Sequence, residues 1–258
     1  MRIASSHAFV TGGASGLGLA MARALADGGA RVTVADYDAE RLGALDEDFT
    51  RLVLDVRDRE AWALAKSTAE AANGPVGILC NNAGIGPQRI ELADSDPVRF
   101  DQMVAIKLTG TFNGIHAFAA GMRARRTGHI VNTASMAGLE TSPLLGAYTA
   151  TKFAVVGLSE VLRKELQPHG VGVSVFCPGL VSTGLALTTA KATGGDVERV
   201  RDAAMPGLDP AKAAARVVAG IEGDWPYILT HGERGQRVAE RMAEIVRAFD
   251  ATPNSADL

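Results

Sequence analysis

Short apolar runs alternate with amphipathic stretches along almost the whole chain of 258 residues. The strand-like runs occupy about 7–11, 31–36, 50–54, 76–81, 129–134, 171–177 and 226–230. The helical patterns occupy about 17–28, 38–45, 58–72, 97–124, 147–167, 210–222 and 234–249. Because strands that alternate with helices form βαβ units with right-handed crossovers, this order predicts a parallel sheet covered on both faces. We therefore expect an α/β fold with a seven-stranded, doubly wound sheet, in a single domain over residues 1–258.

A glycine-rich turn follows the first predicted strand. Gly12, Gly16 and Gly18 lie between an apolar run at 8–10 and a helix that starts near Leu17. Glycines allow a tight turn and let backbone amides approach a pyrophosphate at the helix N-terminus. The spacing is G-x-x-x-G-x-G, and a glycine-rich loop alone is weak support for a nucleotide site. Its strand–turn–helix context predicts a dinucleotide-binding Rossmann domain.

Asp36 ends the second predicted strand, eighteen residues after Gly18. At this position a carboxylate accepts the ribose hydroxyls of the adenosine half of a dinucleotide. A 2′-phosphate there would be repelled by roughly 1 to 4 kcal/mol, the energy of two unit charges about 4 Å apart. Neither Ser15 nor Tyr37 supplies a basic partner, so NAD is favoured over NADP as the cofactor. Asp36 could instead cap the next helix, but Asp38 fills that role better.

Tyr148 and Lys152 are four residues apart and share one face of a predicted helix. A phenol has a reference pKa of about 10, and a nearby ammonium group lowers that pKa toward the range useful for proton transfer. A hydroxyl such as that of Ser135 can meanwhile hold the substrate oxygen. A Tyr-x-x-x-Lys pair alone is typical of a helix surface. Combined with the glycine-rich turn, it predicts a proton-transfer centre.

Composition argues against several other classes of function. The net charge of -3 gives no reason to expect nucleic-acid or membrane-surface binding. No apolar run approaches the roughly 18 residues of a spanning helix, and the chain start is too polar for a signal peptide, so we expect a cytoplasmic protein. Cys80 and Cys177 lie in apolar runs, as buried thiols do in a reducing compartment. The histidines show no ligand spacing, and we predict no metal.

The chain resembles the short-chain dehydrogenase/reductase family, whose members have about its length, over essentially all of its residues. The motifs that carry the resemblance are Thr11 to Gly18, Asp55-Val56, Asn81-Asn82-Ala83-Gly84, Ser135, Tyr148 with Lys152, and Pro178-Gly179 followed by Thr183. They appear in the family's order, and their joint occurrence is highly specific. The resemblance implies reversible hydride transfer between a nicotinamide dinucleotide and the carbinol carbon of a small-molecule substrate.

The resemblance also implies roles for single residues. Ser135 is expected to hold the substrate oxygen, Tyr148 to act as the general acid/base, and Lys152 to hold the nicotinamide ribose and lower the pKa of Tyr148. Thr183 is expected to contact the nicotinamide carboxamide, and the pair Asp55-Val56 to meet the adenine edge. The full set expected to contact the cofactor is Gly12, Ser15, Gly16, Leu17, Gly18, Asp36, Tyr37, Asp55, Val56, Asn82, Ala83, Gly84, Tyr148, Lys152, Pro178, Gly179, Val181 and Thr183.

Lys107 departs from the family pattern. The family usually has an Asn there, which bends its helix and holds a water that links the catalytic lysine to solvent. A second ammonium near Lys152 would repel it and lower the pKa of Tyr148 or Lys152. Alternatively, Lys107 swings outward and leaves the water channel unlined. We place Lys107 with the catalytic residues and expect weakened catalysis that replacement by Asn improves. A dinucleotide-binding regulatory protein without chemistry is the alternative.

Mostly apolar residues flank the proposed centre and favour a medium-sized hydrophobic or aromatic secondary alcohol, or its ketone, as substrate. They are Met136, Leu139, Leu144, Leu145, Leu180, Leu185 and Leu187, although the same residues could belong to the core. An NADPH-dependent ketone reductase is the alternative enzyme. The long segment at about 183–209 follows a strand end and is expected to form a substrate lid.

The two longest predicted helices, 97–124 and 147–167, are the surfaces through which family members of this length commonly pair. We therefore expect a homodimer or homotetramer with closed symmetry. A single elution peak at the monomer mass across all concentrations would reject this expectation.

Overall fold

A single parallel sheet organises the fold in the computed structural model, which describes residues 1–185, 189, 206–250, 252 and 253. Its strands are β1 (His7–Thr11), β2 (Arg31–Asp36), β3 (Thr50–Val53), β4 (Ile78–Asn81), β5 (Gly128–Thr133), β6 (Val171–Cys177) and β7 (Tyr227–Leu229). Neighbouring strands run parallel in the order β3-β2-β1-β4-β5-β6-β7. The prediction of a seven-stranded, doubly wound sheet is confirmed. In such sheets ligands bind beyond the carboxyl ends of the strands, where the strand order reverses, here between β1 and β4.

Helices cover both faces of the sheet. In the described residues they are α1 (Gly16–Asp27), α2 (Ala39–Gly43), α3 (Arg59–Asn73), α4 (Pro97–Val104), α5 (Gly110–Arg125), α6 (Gly146–Leu166), α7 (Pro210–Glu222) and α8 (Gly235–Asp250). On one face, α1 and α7 bury Met21 and Val217. On the other, the Phe9 ring lies 5.9 Å from the Trp62 ring and 5.1 Å from the Phe118 ring, measured between centroids. The strands are therefore buried on both sides, which explains why their apolar runs are continuous.

The helix predicted at 97–124 is interrupted in its middle. Between α4 and α5 lies a π-helical turn, Ala105–Thr109, in which the Gly110 amide donates to the Ala105 carbonyl five residues back. Gly110 packs so closely on the segment after β3 that a Cβ atom would lie 2.7 Å from Val56 Cγ2. A hydrophobic pattern with a period of 3.6 residues does not reveal one inserted residue. Such turns frequently occur at functional sites, and this one carries Lys107.

Most of the predicted lid at about 183–209, together with Leu187, lies outside the described residues. The two described ends of this segment are joined by backbone hydrogen bonds. The Leu208 amide donates to the Leu180 carbonyl at 2.9 Å, and the Ser182 amide donates to the Leu208 carbonyl at 3.0 Å. Both ends are therefore fixed beyond the carboxyl end of β6, on the side of the sheet where ligands are expected.

A buried imidazole on β5 makes the stability of the fold dependent on pH. His129 is 1% exposed, and its Nε2 hydrogen-bonds with Ser174 Oγ at 2.8 Å. Burial lowers the pKa of His129 to about 4, although the Asp224 carboxylate opposes the shift. Because an unfolded histidine has a pKa of about 6.5, the neutral ring stabilises the fold fully above that pH. This stabilisation is lost as the pH falls toward 4.

We expect His129 to account for a loss of about 2 kcal/mol in the free energy of unfolding between about pH 7 and pH 5. Urea unfolding at the two pH values, followed by tryptophan fluorescence, measures this loss. The variant His129→Gln should show a smaller difference between the two pH values. The control His116→Gln, at an exposed position on α5, should keep the parent's difference. An equal difference in the parent and in His129→Gln would contradict the assignment.

Candidate active site

Three glycines shape the turn that joins β1 to α1. Gly12 and Gly16 have φ angles of 62° and 53°, which glycine adopts without strain. A Cβ atom on Gly12 would lie 2.8 Å from the Ala83 Cα, and one on Gly18 would lie 2.0 Å from the Gly12 carbonyl oxygen. The close approach of these backbone segments therefore requires glycine, as in a turn that packs its amides around a pyrophosphate.

The amino end of α1 is available to an anion. Ser15 is its N-cap residue but makes no side-chain capping hydrogen bond within the described part of the chain. The first turn, which contains Leu17, has no acidic residue. The first-turn amides and the positive end of the helix dipole therefore lack a negative partner there. This donor set fits the pyrophosphate of a dinucleotide.

The chain leaving β4 is fastened to the glycine-rich turn. Asn82 Nδ2 donates to the Thr11 carbonyl at 3.1 Å. The amides of Asn82 and Ala83 donate to Thr11 Oγ1 at 2.9 and 3.1 Å. Gly84 follows, and a Cβ atom there would lie 2.9 Å from Lys107 Nζ. The segment Asn82–Gly84 thus connects the glycine-rich turn with the region of Lys107.

Asp36 is buried at the end of β2 and belongs to the same turn. Its Oδ2 accepts from the Ala14 amide at 3.1 Å, and its Oδ1 accepts from the Asp38 amide at 3.2 Å. Burial raises the pKa of the Asp36 carboxyl, and these two amides oppose the rise. Asp38 is the residue that caps α2, and it also pairs with Arg41 Nε at 3.0 Å. Tyr37, between the two acids, is 60% exposed.

The residues after β3 differ from each other in their surroundings. The Asp55 carboxylate accepts from Arg57 Nε at 2.9 Å, and this ion pair lowers the pKa of Asp55. Val56 is buried, and its carbonyl accepts from Trp62 Nε1 at 3.0 Å. Sequence reasoning missed Arg57, which places a positive charge beside the expected adenine contact.

The segment after β6 spans the site. Ser135 Oγ donates to the Pro178 carbonyl at 3.4 Å, and the Gly179 amide donates to Thr230 Oγ1 at 3.1 Å. Val181 forms an isolated parallel bridge with Leu208. Thr183 then reaches the glycine-rich turn, where a Cβ atom on Gly16 would lie 2.9 Å from its carbonyl oxygen. The predicted residues at 178–183 therefore connect Ser135 with the glycine-rich turn.

Ser135, Tyr148 and Lys152 meet beyond the carboxyl end of β5. Ser135 follows β5, and its hydroxyl accepts from the Ala137 amide at 3.2 Å and hydrogen-bonds with Tyr148. Tyr148 and Lys152 lie one turn apart on α6. Lys152 Nζ donates to the Thr133 carbonyl at 2.6 Å and lies 5.7 Å from the centroid of the Tyr148 ring. Thr133 is thus a partner of Lys152 that no sequence pattern indicated.

Lys107 points into this group. The residue is 3% exposed, and its Nζ lies 4.8 Å from the centroid of the Tyr148 ring. Its amino group also lies within hydrogen-bonding reach of that of Lys152. The alternative in which Lys107 swings outward is therefore wrong. The π-helical turn brings a second amino group into the proposed proton-transfer centre.

Burial shifts the pKa of each group in this centre. It lowers the pKa of Lys152 to about 8. It also lowers the pKa of Lys107 well below its usual range, and the neighbouring Lys152 acts in the same direction. For Tyr148, burial raises the pKa, and the hydrogen bond with Ser135 opposes the rise. The downward shift expected from Lys152 is therefore not the dominant influence on Tyr148, because loss of hydration disfavours the phenolate more strongly.

The apolar residues expected to line a pocket fall into two groups. Met136 and Leu139 pack in a core cluster with Val155, so the structure assigns them to the core. Leu144, Leu180 and Leu185 are 38%, 50% and 37% exposed. Leu145 forms a bridge with Ile90. A small cleft beside Tyr148 is lined by residues that sequence reasoning missed, namely Gln88, Ile90, Ser95, Asp96, Arg99, Phe100 and Met103.

The part of the chain that the structure describes contains no group of three His, Cys, Asp or Glu side chains able to hold a metal ion. None of the described helices has both the length and the hydrophobicity needed to cross a membrane.

Comparisons with known proteins agree with this geometry. A family model described as short chain dehydrogenase matches residues 6–193. A C alpha-dehydrogenase from Sphingobium sp. strain SYK-6 is 36% identical over 262 residues, which cover 93% of this chain and 85% of the relative. A 3-alpha-(or 20-beta)-hydroxysteroid dehydrogenase from Mycobacterium tuberculosis is 37% identical over 187 residues, which cover 70% of this chain and 71% of the relative.

Solved structures agree as well. A short chain dehydrogenase/reductase from Burkholderia phymatum, solved in complex with NAD, matches with a TM-score of 0.86 and 29% identity, covering 96% of each chain. The family model spans well over half of this chain. The glycine-rich turn, Ser135, Tyr148 and Lys152 all lie on the side of the sheet where the strands have their carboxyl ends. The chain therefore belongs to the short-chain dehydrogenase/reductase family of oxidoreductases.

Proposed function

We propose that this chain is an NAD-dependent dehydrogenase that interconverts a medium-sized hydrophobic or aromatic secondary alcohol and its ketone. The observation that carries the proposal is the contact between the Ser135 and Tyr148 hydroxyls. Lys152 lies one helical turn from Tyr148, and the glycine-rich turn lies on the same side of the sheet, beyond the carboxyl ends of the strands. Bound NAD supplies the acceptor for the hydride that leaves the carbinol carbon.

Each side chain then has a distinct task. Ser135 holds the substrate oxygen by a hydrogen bond, and Tyr148 takes the proton from that oxygen during oxidation or returns it during reduction. Because burial disfavours the Tyr148 phenolate, the reaction needs a positive charge near the tyrosine, and the Lys152 ammonium supplies it. Binding the alcohol beside these groups makes the proton transfer effectively unimolecular.

The cofactor-binding residues favour NAD. The amides of the glycine-rich turn and of the first turn of α1 would hold the pyrophosphate, and Asp36 would accept the ribose hydroxyls. Arg41 is a cation whose charge acts on Asp36, and its side chain is paired with Asp38. The NAD complex of the Burkholderia phymatum relative supports the same choice.

We expect the protein to prefer NAD to NADP by about 100-fold in kcat/KM. The corresponding free energy lies within the range of the repulsion between two charges at a protein surface. Asp36→Asn keeps an oxygen that can accept from the Ala14 amide but removes the charge, so it should reduce the preference by about tenfold or more. Asp27→Asn makes the same change of charge at an exposed position at the end of α1 and should leave the preference unchanged. An unchanged preference in Asp36→Asn would refute this role.

The substrate class is tested with a panel of aliphatic, alicyclic and aryl secondary alcohols. The Ile90, Phe100 and Met103 side chains beside Tyr148 provide apolar surface, and a hydroxysteroid, named for one relative, is itself an apolar alcohol. Absorbance of the reduced nicotinamide reports turnover, and we expect the larger apolar alcohols to react fastest. A preference for NADPH and ketones would favour the alternative enzyme. Normal NADH affinity without turnover of any alcohol would favour a regulatory protein.

A further inference from the structure

Two buried amino groups share the candidate active site. Lys107 and Lys152 are 3% and 5% exposed, and their amino groups lie within hydrogen-bonding reach of each other, beside the same Tyr148 ring. Neither has a salt-bridge partner among the described residues. The titratable groups facing this pair are Tyr148 on α6 and the Cys177 thiol on β6. Burial raises the pKa of that thiol to about 12, so it remains neutral and does not balance a second positive charge.

Burial and electrostatic repulsion together prevent both amines from carrying a proton. Two unit charges at about 4 Å repel each other by about 4 kcal/mol at a protein surface, and by more in a buried site. That repulsion lowers the affinity of the pair for a second proton by roughly three orders of magnitude, and the burial of both side chains lowers it further.

The surroundings decide which amine keeps the proton. Lys152 Nζ donates to the Thr133 carbonyl at 2.6 Å, a charge-assisted hydrogen bond that favours its ammonium form. Lys107 Nζ instead lies beside the Cα of Gly84 and over the Tyr148 ring. The lowered pKa of Lys107 agrees with a neutral amine there. A neutral amine has a lone pair, which the Lys152 ammonium can use as an acceptor.

We propose that Lys107 is a positioning residue that works as an uncharged amine, accepting a hydrogen bond from the Lys152 ammonium and thereby fixing its orientation. An ammonium group has three N–H donors. With one directed to the Thr133 carbonyl and one to Lys107, the third remains for the substrate side of the site. The inference rests on the proposed dehydrogenase function.

This role makes turnover depend on the protonation of Lys107. When Lys107 gains a proton, its lone pair is lost and the repulsion described above appears. The Lys152 ammonium then loses its fixed orientation, and the protonated form of Lys152 becomes less favourable. Turnover should therefore fall on the acidic side, through an ionisation that belongs to Lys107. A side chain that only fills space would not produce this ionisation.

Three variants test the proposal through the pH dependence of kcat. Lys107→Asn retains an acceptor that does not titrate, so its kcat should equal or exceed that of the parent near neutral pH and exceed it by about threefold or more toward acidic pH. Lys107→Met has a similar length but no acceptor, so its kcat should be about a tenth of the parent's value near neutral pH and should not fall further toward acidic pH. Both should lack the acidic ionisation of the parent. Lys164→Met, at an exposed position on α6, should match the parent throughout.

A second measurement does not require turnover. With lysines labelled with ¹³C at Cε, NMR of the protein without cofactor should show one amine that is neutral near pH 7 and gains its proton only at lower pH. This resonance should be absent from Lys107→Asn and Lys107→Met. Parent-like pH profiles in both variants, or an NMR titration in which every lysine is charged near pH 7, would overturn the proposal. If the parent oxidises no alcohol, the proposed function fails while the NMR titration still decides the state of Lys107.

Discussion

Tyr148→Phe is expected to lower kcat by about a thousandfold, the typical contribution of a positioned general acid or base. The substitution removes only the hydroxyl that hydrogen-bonds with Ser135 and leaves the ring, whose centroid lies 4.8 Å from Lys107 Nζ and 5.7 Å from Lys152 Nζ. The affinity for NADH should therefore change little. Steady-state oxidation of the best alcohol in the panel gives kcat, and a fluorescence titration gives the dissociation constant for NADH.

The same substitution at Tyr227 provides the matched control. The Tyr227 hydroxyl donates to Glu160 and is on β7, so Tyr227→Phe removes a phenol outside the proposed centre. This variant should retain the parent's kcat. If Tyr148→Phe kept more than about a tenth of the activity, another group would have to carry the proton, and the assignment of Tyr148 would fail.

Gly18→Ala is expected to weaken NADH binding by roughly 10- to 100-fold, the equivalent of an overpacking penalty of about 1 to 3 kcal/mol. The added Cβ atom would lie 2.0 Å from the Gly12 carbonyl oxygen and 2.6 Å from Asn82 Nδ2. Neither contact is tolerable, so the turn must open and the amides that would hold the pyrophosphate must move. Titration calorimetry with NADH measures the loss directly.

Gly43→Ala serves as the control for this substitution, because a Cβ atom on Gly43 has no neighbour within 4 Å. It should bind NADH as the parent does. Circular dichroism of both variants separates a local change in the turn from a loss of the fold. A folded Gly18→Ala protein with unchanged affinity for NADH would show that the turn does not hold the cofactor.

The doubly wound parallel sheet was predictable because it depends on long-range patterns. Continuous apolar runs of strand length alternate with helical patterns along the chain. Because crossovers between parallel strands are right-handed, few arrangements of the sheet are compatible with this alternation. The glycine-rich turn was predictable for a similar reason, since Gly12, Gly16 and Gly18 occupy positions where a Cβ atom meets backbone. The gathering of Ser135, Tyr148 and Lys152 followed from the resemblance to a family.

Features that depend on side-chain direction were not predictable. The orientation of Lys107 stayed open because it depends on one π-helical turn, which leaves no mark on the hydrophobic period. The Thr133 carbonyl is a backbone group, so no residue type signals its contact with Lys152. The cleft beside Tyr148 uses an irregular segment that contains Ile90 and Phe100, where no regular pattern indicates which side chains point inward.

The π-helical turn Ala105–Thr109 also sets the rotational phase of α5 relative to α4. One residue of an α-helix corresponds to a rotation of about 100°. Deleting a residue from the turn would therefore direct either Phe118 and Met122 away from the core or Lys107 away from Tyr148. The chemistry at position 107 is thus tied to the packing of a helix more than two turns further along the chain. Changes of chain length here are constrained more strictly than changes of side chain.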